Sequence, residues 1–319
     1  AASEDNRGAV ELLHIGSKVK TLLLLRELRA PFFTASIMPV LLGCAMARYH
    51  TGLWSWPLFA LTLLGVVALH AGANVANDYF DHASGNDAAN RDYVRPFTGG
   101  SRMIQNRLLT PREVLGLSVA CFAIGGLAGA WLFRLAGWPV LWLGAAGLAG
   151  GFFYSAPPVK LGARGLGEPA IAILFGCLPA MGAYFVQTGR FSSDFLVISL
   201  SPAALILMVV FINEFQDCRA DGAVGKRTWV VRLGTRRAAR AYMAMMALWP
   251  LPILLVTAAG KAPPGMLLAL VPLLMAFWIL PRVARCHDKP QALAPANAMT
   301  IILHLAVSLV MAAVLLAAR

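Results

Sequence analysis

Apolar residues run through this chain in long blocks, and short polar segments between them hold nearly all the charge. Blocks bounded by charge, Pro or Gly predict nine spans near 31–48, 57–77, 113–133, 138–155, 168–187, 195–214, 238–259, 264–281 and 298–317. Most approach the roughly 17 to 25 residues that cross a bilayer as a helix. The pattern therefore predicts an all-α integral membrane protein with nine transmembrane helices. Ahead of the first span, residues 11–29 mix leucines with His14, Lys18, Lys20, Arg26, Glu27 and Arg29, which suits a helix lying along the interface. The expected organisation is a cytoplasmic or interfacial segment over 1–30 and a single membrane domain over 31–319.

Composition agrees with this reading. Of 319 residues, 59% are hydrophobic and 13% charged, which excludes an ordinary soluble domain. The 29 glycines suit helices that approach closely in lipid. Residues Ala1 to Val10 lack a charged start followed by an apolar core, so the first span is expected to direct insertion. Five cysteines are scattered singly and are expected to be free thiols.

Net charge is +12, and its placement matters more than its size. With nine spans, 22 of the 27 lysines and arginines fall on one side, which the positive-inside rule assigns to the cytoplasm. That sidedness favours membrane topology and a phosphorylated substrate over nucleic acid. All acidic residues except Asp194 share the same side, and topology does not require this, because carboxylates contribute little to orientation.

Much of that acid lies at the ends of two spans. Span two ends in His70-Ala-Gly-Ala-Asn74-Val-Ala-Asn77-Asp78-Tyr-Phe-Asp81, with Gly85 and Asp87 following, and span six ends in Asn213-Glu214-Phe-Gln216-Asp217-Cys-Arg219-Ala-Asp221. Asn74 with Asp78 and Asn213 with Asp217 are matching i, i+4 pairs, both offset by 139 positions, as an internal duplication would leave them. Residues three and four apart share a helix face, so each span is expected to present a carboxylate stripe near the cytoplasmic mouth. Two facing stripes would repel without a cation between them. Mg²⁺ favours one or two carboxylates plus waters and phosphate oxygens, so a diphosphate held through Mg²⁺ is the chemical reading. Helix ends that merely face water are the bland alternative, and two matched clusters at one membrane depth argue against it.

Basic residues crowd the same side: Arg91, Arg95, Arg102 and Arg107, then Lys160 and Arg164, then Lys226, Arg227 and Arg232. Arginine offers bidentate donors to phosphate and lysine a mobile point charge. Taken singly, each such residue is more often a topology determinant than a ligand. The six histidines show no ligand spacing, and no nucleotide-loop sequence is present.

Together with Leu28-Arg29-Ala-Pro-Phe-Phe-Thr34, Pro96-Phe-Thr-Gly99-Gly100-Ser-Arg102-Met-Ile-Gln105, Tyr154-Ser-Ala-Pro-Pro-Val-Lys160-Leu-Gly-Ala-Arg164-Gly-Leu-Gly167-Glu168 and Gly225-Lys226-Arg227-Thr228, these motifs resemble the UbiA superfamily of intramembrane prenyltransferases over nearly the whole chain. The Asn-Asp-Tyr-Phe-Asp and Gly-Lys-Arg-Thr segments look most like its menaquinone branch, which prenylates 1,4-dihydroxy-2-naphthoate. The resemblance implies nine helices around a central cavity, capped at its cytoplasmic mouth by both Asp motifs and open sideways to lipid. It implies catalytic roles for Asn74, Asp78, Asp81, Asn213, Asp217 and Asp221, and Mg²⁺ held by Asp78, Asp81, Asp87, Asp217 and Asp221. Asp87 departs from the family spacing, since Gly85 stands where the family often has an Asp. Arg29, Arg95, Arg102, Tyr154, Lys160, Arg164 and Lys226 would serve the diphosphate or the acceptor.

The implied partners are a polyprenyl diphosphate, an aromatic acceptor and the bilayer, in a bacterial cytoplasmic membrane with the site facing the cytoplasm. A dry cavity would protect an allylic cation, with Phe80, Phe152, Phe153, Tyr154 and Phe211 as candidate aromatic faces. Hydroxybenzoate, homogentisate or a glycerol phosphate are alternative acceptors, and a secondary transporter is the alternative of a different class.

Overall fold

The computed structural model describes residues 19–90 and 93–318, and no strand occurs among them. Residues 19–27 are helical (α1), followed by a 3-10 turn over Ala30–Phe33 and by α2, Thr34–Thr51. Then come α3 (Trp56–Ala83), the short α4 (Asn86–Ala89), α5 (Pro111–Ala136), α6 (Trp138–Phe153), α7 (Gly167–Thr188) and α8 (Ser193–Ala223). The chain closes with α9 (Trp229–Leu233), α10 (Thr235–Ala258, interrupted at Trp249 and Pro250), α11 (Pro264–Cys286) and α12 (Pro290–Ala317).

Local chemistry accounts for the boundaries. Thr110 and Glu113 form a reciprocal capping box at the start of α5, and Ser192 accepts from the Phe195 N–H at the start of α8. Gly52 and Gly189 end α2 and α7 in the left-handed conformation.

Among the described residues, eight helical runs are long and apolar enough to cross a membrane; α6, the expected fourth span, has 16 residues and falls below that length. The run Val19–Thr51 joins the expected first span to the segment read as interfacial, with a break at Leu28 and Arg29; residues 11–18 of that segment lie outside the described residues. The protein is an integral membrane protein. Exposed Leu127, Trp131, Trp142, Leu274 and Phe277 form its lipid-facing surface.

One large core joins α2, α7, α8, α10, α11 and α12 through Tyr184, Phe195, Met208, Tyr242, Trp249 and Leu303, all fully buried. Phe211 belongs to this core, between Phe215 and Trp229, and does not face the cavity as an aromatic wall. Two features of the fold shape the site. α3 and α8 continue past their expected ends at 77 and 214, so both Asp motifs lie within the last turns of long helices. α7 carries a π-helical turn over Ile173–Cys177, a local widening that is frequent at functional sites.

Candidate active site

The ends of α3 and α8 meet around a cavity of about 700 Å³. From α3 it receives Asn74, Asn77, Phe80 and Asp81, and from α8 Asn213, Glu214, Asp217 and Asp221. Three connecting segments close over it. The first brings Asn86, Asp87, Asn90 and the Thr98–Gly100 turn; the second brings Tyr154, Lys160 and Arg164; the third brings Lys226.

Polar bonds hold these segments to the helix ends. Lys226 Nζ lies 2.7 Å from Asp81 Oδ1 and 3.7 Å from Asp221 Oδ1, so one ammonium bridges the two motifs. Burial disfavours its charge, but Asp81 and Asp221 outweigh burial and hold the Lys226 pKa above the ordinary lysine value. Asn90 Nδ2 donates to Asp217 Oδ1 at 2.7 Å, and Gln105 Nε2 donates to Asp87 Oδ2 at 2.7 Å. Asn297 Nδ2 donates to Asn213 Oδ1 at 2.8 Å. The second and third segments are tied together: the Arg227 N–H donates to Ala163 O at 2.8 Å, Arg232 donates to Arg164 O at 2.6 Å, and Trp229 Nε1 donates to Gly165 O at 3.0 Å. The Trp229 N–H donates to Glu168, which is fully buried.

Asp78 departs from the expected stripe and does not line the cavity. It is 4% exposed, accepts from the Ser101 N–H at 2.9 Å and lies 3.8 Å from Arg29 Nη1. The reason is helical phase. At about 100° per residue, Asp78 sits about 40° to one side of Asn74 and Asp81 about 20° to the other. That difference turns Asp81 toward α8 and Asp78 toward the 98–101 turn.

Arg102 and Arg95 are also outside the cavity lining. Arg102 Nη1 donates to the Asp87 and Asn90 carbonyls at 3.1 and 3.3 Å and its guanidinium covers the Tyr93 ring, while Arg95 donates to Ser101 O at 3.4 Å. Both brace the first segment. Arg29, Tyr154, Lys160, Arg164 and Lys226 do line the cavity. Arg91 lies outside the described residues.

A second cavity of about 410 Å³, with walls that are almost wholly apolar, shares Ala73, Gly151, Leu174 and Phe175 with the first. Its sides include Leu69, Gly125, Gly129, Leu143, Gly144 and Leu178, running along the membrane-spanning helices. A ligand with a charged head and a long apolar tail fits this pair of spaces.

The profile of the UbiA prenyltransferase family matches residues 36–302. The chain belongs to that family. A Synechocystis protein named 2-carboxy-1,4-naphthoquinone phytyltransferase is 30% identical over 295 residues, 91% of each chain. A Mycobacterium tuberculosis protein named 1,4-dihydroxy-2-naphthoate octaprenyltransferase is 33% identical over 213 residues, covering 66% of this chain and 70% of its own. A UbiA homolog from Archaeoglobus fulgidus, solved bound to GPP and Mg²⁺, shares the fold with TM-score 0.60 at 14% identity, over 92% of this chain and 100% of its own. This UbiA-family protein is a prenyltransferase.

The donor set of this prenyltransferase suits a hard divalent cation. Carboxylates of Asp81, Asp87, Asp217 and Asp221 and amides of Asn74, Asn86 and Asn213 surround one space, and the buried Asn86 Oδ1 has no hydrogen-bond partner among the described residues. No three acidic, His or Cys side chains among the described residues converge into a ready-made cage. Mg²⁺ needs none, since it keeps waters and takes substrate oxygens.

Asp87 is pushed up to about 7 by burial, then by Asp81 and Asp78, so it gains charge near neutral pH. Burial and the carboxylates of Glu214 and Glu168 hold the Tyr154 phenol well above its usual range, which keeps its hydroxyl a donor.

Sequence reasoning omitted Asn77, Asn86, Asn90 and Glu214 from the candidate site. Asn77 and Glu214 adjoin the recognised motif residues, and that adjacency was the available signal. Asn86 likewise adjoins Asp87, whereas Asn90 carries no such signal.

Proposed function

We propose that the protein catalyses Mg²⁺-dependent transfer of a polyprenyl group from an allylic diphosphate to 1,4-dihydroxy-2-naphthoate, in menaquinone biosynthesis. The observation that carries this reading is the continuity of a polar cavity, flanked by two acidic helix ends and Lys226, with an apolar cavity inside the membrane domain. The naphthoate and naphthoquinone named for two relatives support the acceptor class. The excess of Lys and Arg on one side supports a cytoplasm-facing mouth in a bacterial cytoplasmic membrane. Residues 31–319 act as one catalytic domain.

Asp81, Asp87, Asp217 and Asp221 would hold Mg²⁺ with the diphosphate oxygens, and Asn74 and Asn213 complete the polar wall. When bound, the metal supplies positive charge that favours departure of the diphosphate. Lys226, Arg29, Lys160 and Arg164 add fixed or mobile cations for the charge that develops on the leaving group. Tyr154 offers a neutral hydroxyl donor beside them. Asp78, Arg95 and Arg102 act indirectly, by holding the 98–102 segment over the mouth. The allylic C–O bond loosens toward a cation, the electron-rich ring attacks its terminal carbon, and loss of the ring carboxylate as CO₂ restores aromaticity. Phe80, Phe97 and Phe175 line the space in which that cation would form and help to keep water from it.

A product assay on detergent-purified protein tests the reading, using Mg²⁺, a long-chain allylic diphosphate and dihydroxynaphthoate beside EDTA, Asp81→Asn and Asp217→Asn controls. Prenylated naphthoquinol that disappears in all three controls supports it. Prenylation of a different aromatic acceptor instead removes the naphthoate assignment.

A further inference from the structure

His70 lies on α3 one turn from Asn74, on the wall of the apolar cavity, and its side chain is buried. Its Nδ1 is 2.8 Å from the buried Ser36 Oγ on α2. Phe33 and Phe175 stand edge-on to the ring at centroid distances of 5.4 and 4.6 Å. The ring's one hydrogen bond among the described residues is at Nδ1, which leaves Nε2 unpaired. His70 is one of the few polar residues that line this cavity, and Nε2 is the ring nitrogen left to meet a ligand there.

A hydrogen-bonding atom on a wall that is almost wholly apolar is costly unless a ligand supplies its partner. The prenyl tail has no polar atom to offer. An aromatic acceptor has ring hydroxyls, and a hydroxyl can donate or accept, so it suits either tautomer that Ser36 imposes. Phe33 and Phe175 add aromatic edges beside the imidazole, and Phe175 faces both cavities, at the junction where the tail and the charged head would part. Along α3, four residues span about 6 Å. A ring bonded to His70 therefore lies about one ring width from the polar cavity that begins at Asn74.

Resting on the aromatic-acceptor reading above, we propose that His70, oriented by Ser36, recognises the acceptor: Nε2 hydrogen-bonds a ring hydroxyl and fixes which ring carbon faces the allylic carbon. His70 is thus a specificity residue on the acceptor side of the reaction. It takes no part in holding the diphosphate.

The test is steady-state kinetics of full-length wild type, His70→Phe, His70→Gln and Ser36→Ala, with dihydroxynaphthoate and prenyl diphosphate varied in turn. Inhibition by 2-naphthoate, which lacks ring hydroxyls, is measured alongside. His70→Phe keeps an aromatic ring between Phe33 and Phe175 but removes Nε2. It is expected to raise the acceptor KM on the order of tenfold, the cost of one lost hydrogen bond to a buried group. The diphosphate KM should stay within about twofold. His70→Gln, whose amide reaches the Nε2 position, should restore most of the acceptor affinity, and Ser36→Ala should lose a smaller part of it. Inhibition by 2-naphthoate should not distinguish His70→Phe from wild type.

Equal losses for 2-naphthoate and dihydroxynaphthoate, or a joint rise in both KM values, would show a packing role and overturn the proposal. If His70→Phe does not fold, the His70→Gln and Ser36→Ala values decide: wild-type acceptor KM in Ser36→Ala together with a diphosphate-side defect in His70→Gln also overturns it. A wild-type enzyme that prenylates no aromatic acceptor removes the parent reading, and this inference falls with it.

Discussion

Lys226, beyond the end of α8, forms its shortest ion pair with Asp81, near the end of α3, at 2.7 Å. The two acidic helix ends are thus joined by a cation belonging to the chain itself. An ammonium there offsets part of the repulsion between the motifs and remains available to a diphosphate that enters between them.

Replacing Lys226 by Met should lower kcat/KM for the prenyl diphosphate by about two orders of magnitude, the scale on which one donor to developing charge acts. Lys226→Arg keeps the charge and should retain more. Chromatographic product assays across diphosphate concentrations measure both, and unchanged kcat/KM in Lys226→Met would remove Lys226 from the site.

Asn90 orients the Asp217 carboxylate through a 2.7 Å hydrogen bond. Supporting bonds of this kind alter metal affinity by about 10- to 100-fold, so Asn90→Ala should raise the Mg²⁺ concentration for half-maximal activity by about tenfold or more. EDTA should abolish turnover and added Mg²⁺ restore it. A Mg²⁺ titration of activity checks both statements.

Asp87 carries a pH signature. Its pKa in the fold is about 7, raised by burial and then by Asp81 and Asp78; an unfolded Asp lies at about 3.9. The folded state therefore binds the extra proton, and this contribution to stability is present in full below pH of about 4 and is lost as pH rises through about 7. Metal-free protein melted in detergent at a series of pH values should lose stability across that window. Asp87→Asn should flatten that part of the profile.

Asp78 and Gly100 should behave as one unit. Gly100 has φ +63°, and a Cβ there would lie 2.7 Å from Asp78 Oδ1. Asp78→Ala leaves the Ser101 N–H without its acceptor, at about 1–3 kcal/mol, and Gly100→Ala forces the same turn away from Asp78. The double variant should lose much less activity than the product of the two single losses. Independent, multiplying effects would show that Asp78 acts apart from the turn.

At Gly43 α2 lies close against α7: a Cβ would meet Ala180 O at 2.3 Å and the Ala183 Cβ at 2.9 Å. Gly43→Ala should destabilise the protein by about 1–3 kcal/mol, since overpacking moves both helices. A lowered melting temperature with the diphosphate KM preserved is the expected result.

Apolar-run length located the membrane helices, because bilayer thickness sets the length of such a run; eight runs reach that length among the described residues, and α6, at 16 residues, falls short of the predicted fourth span. The matching polar ends of α3 and α8 were equally legible, because i, i+4 spacing is a local property of a helix. Helix ends were less legible: Asp78, Asp81, Asp217 and Asp221 read as the polar margin of a span, yet they continue the helix because partners elsewhere in the fold take up their charge. Which of them face the cavity is set by how the folded helices and segments pack. Asp78 turns to Ser101, 23 positions away, Asn90 reaches Asp217 across 127 positions, and His70 meets Ser36 across 34. Helical phase, segment closure and the packing of α2 against α3 set those partnerships, and none of these leaves a periodic trace in a single chain.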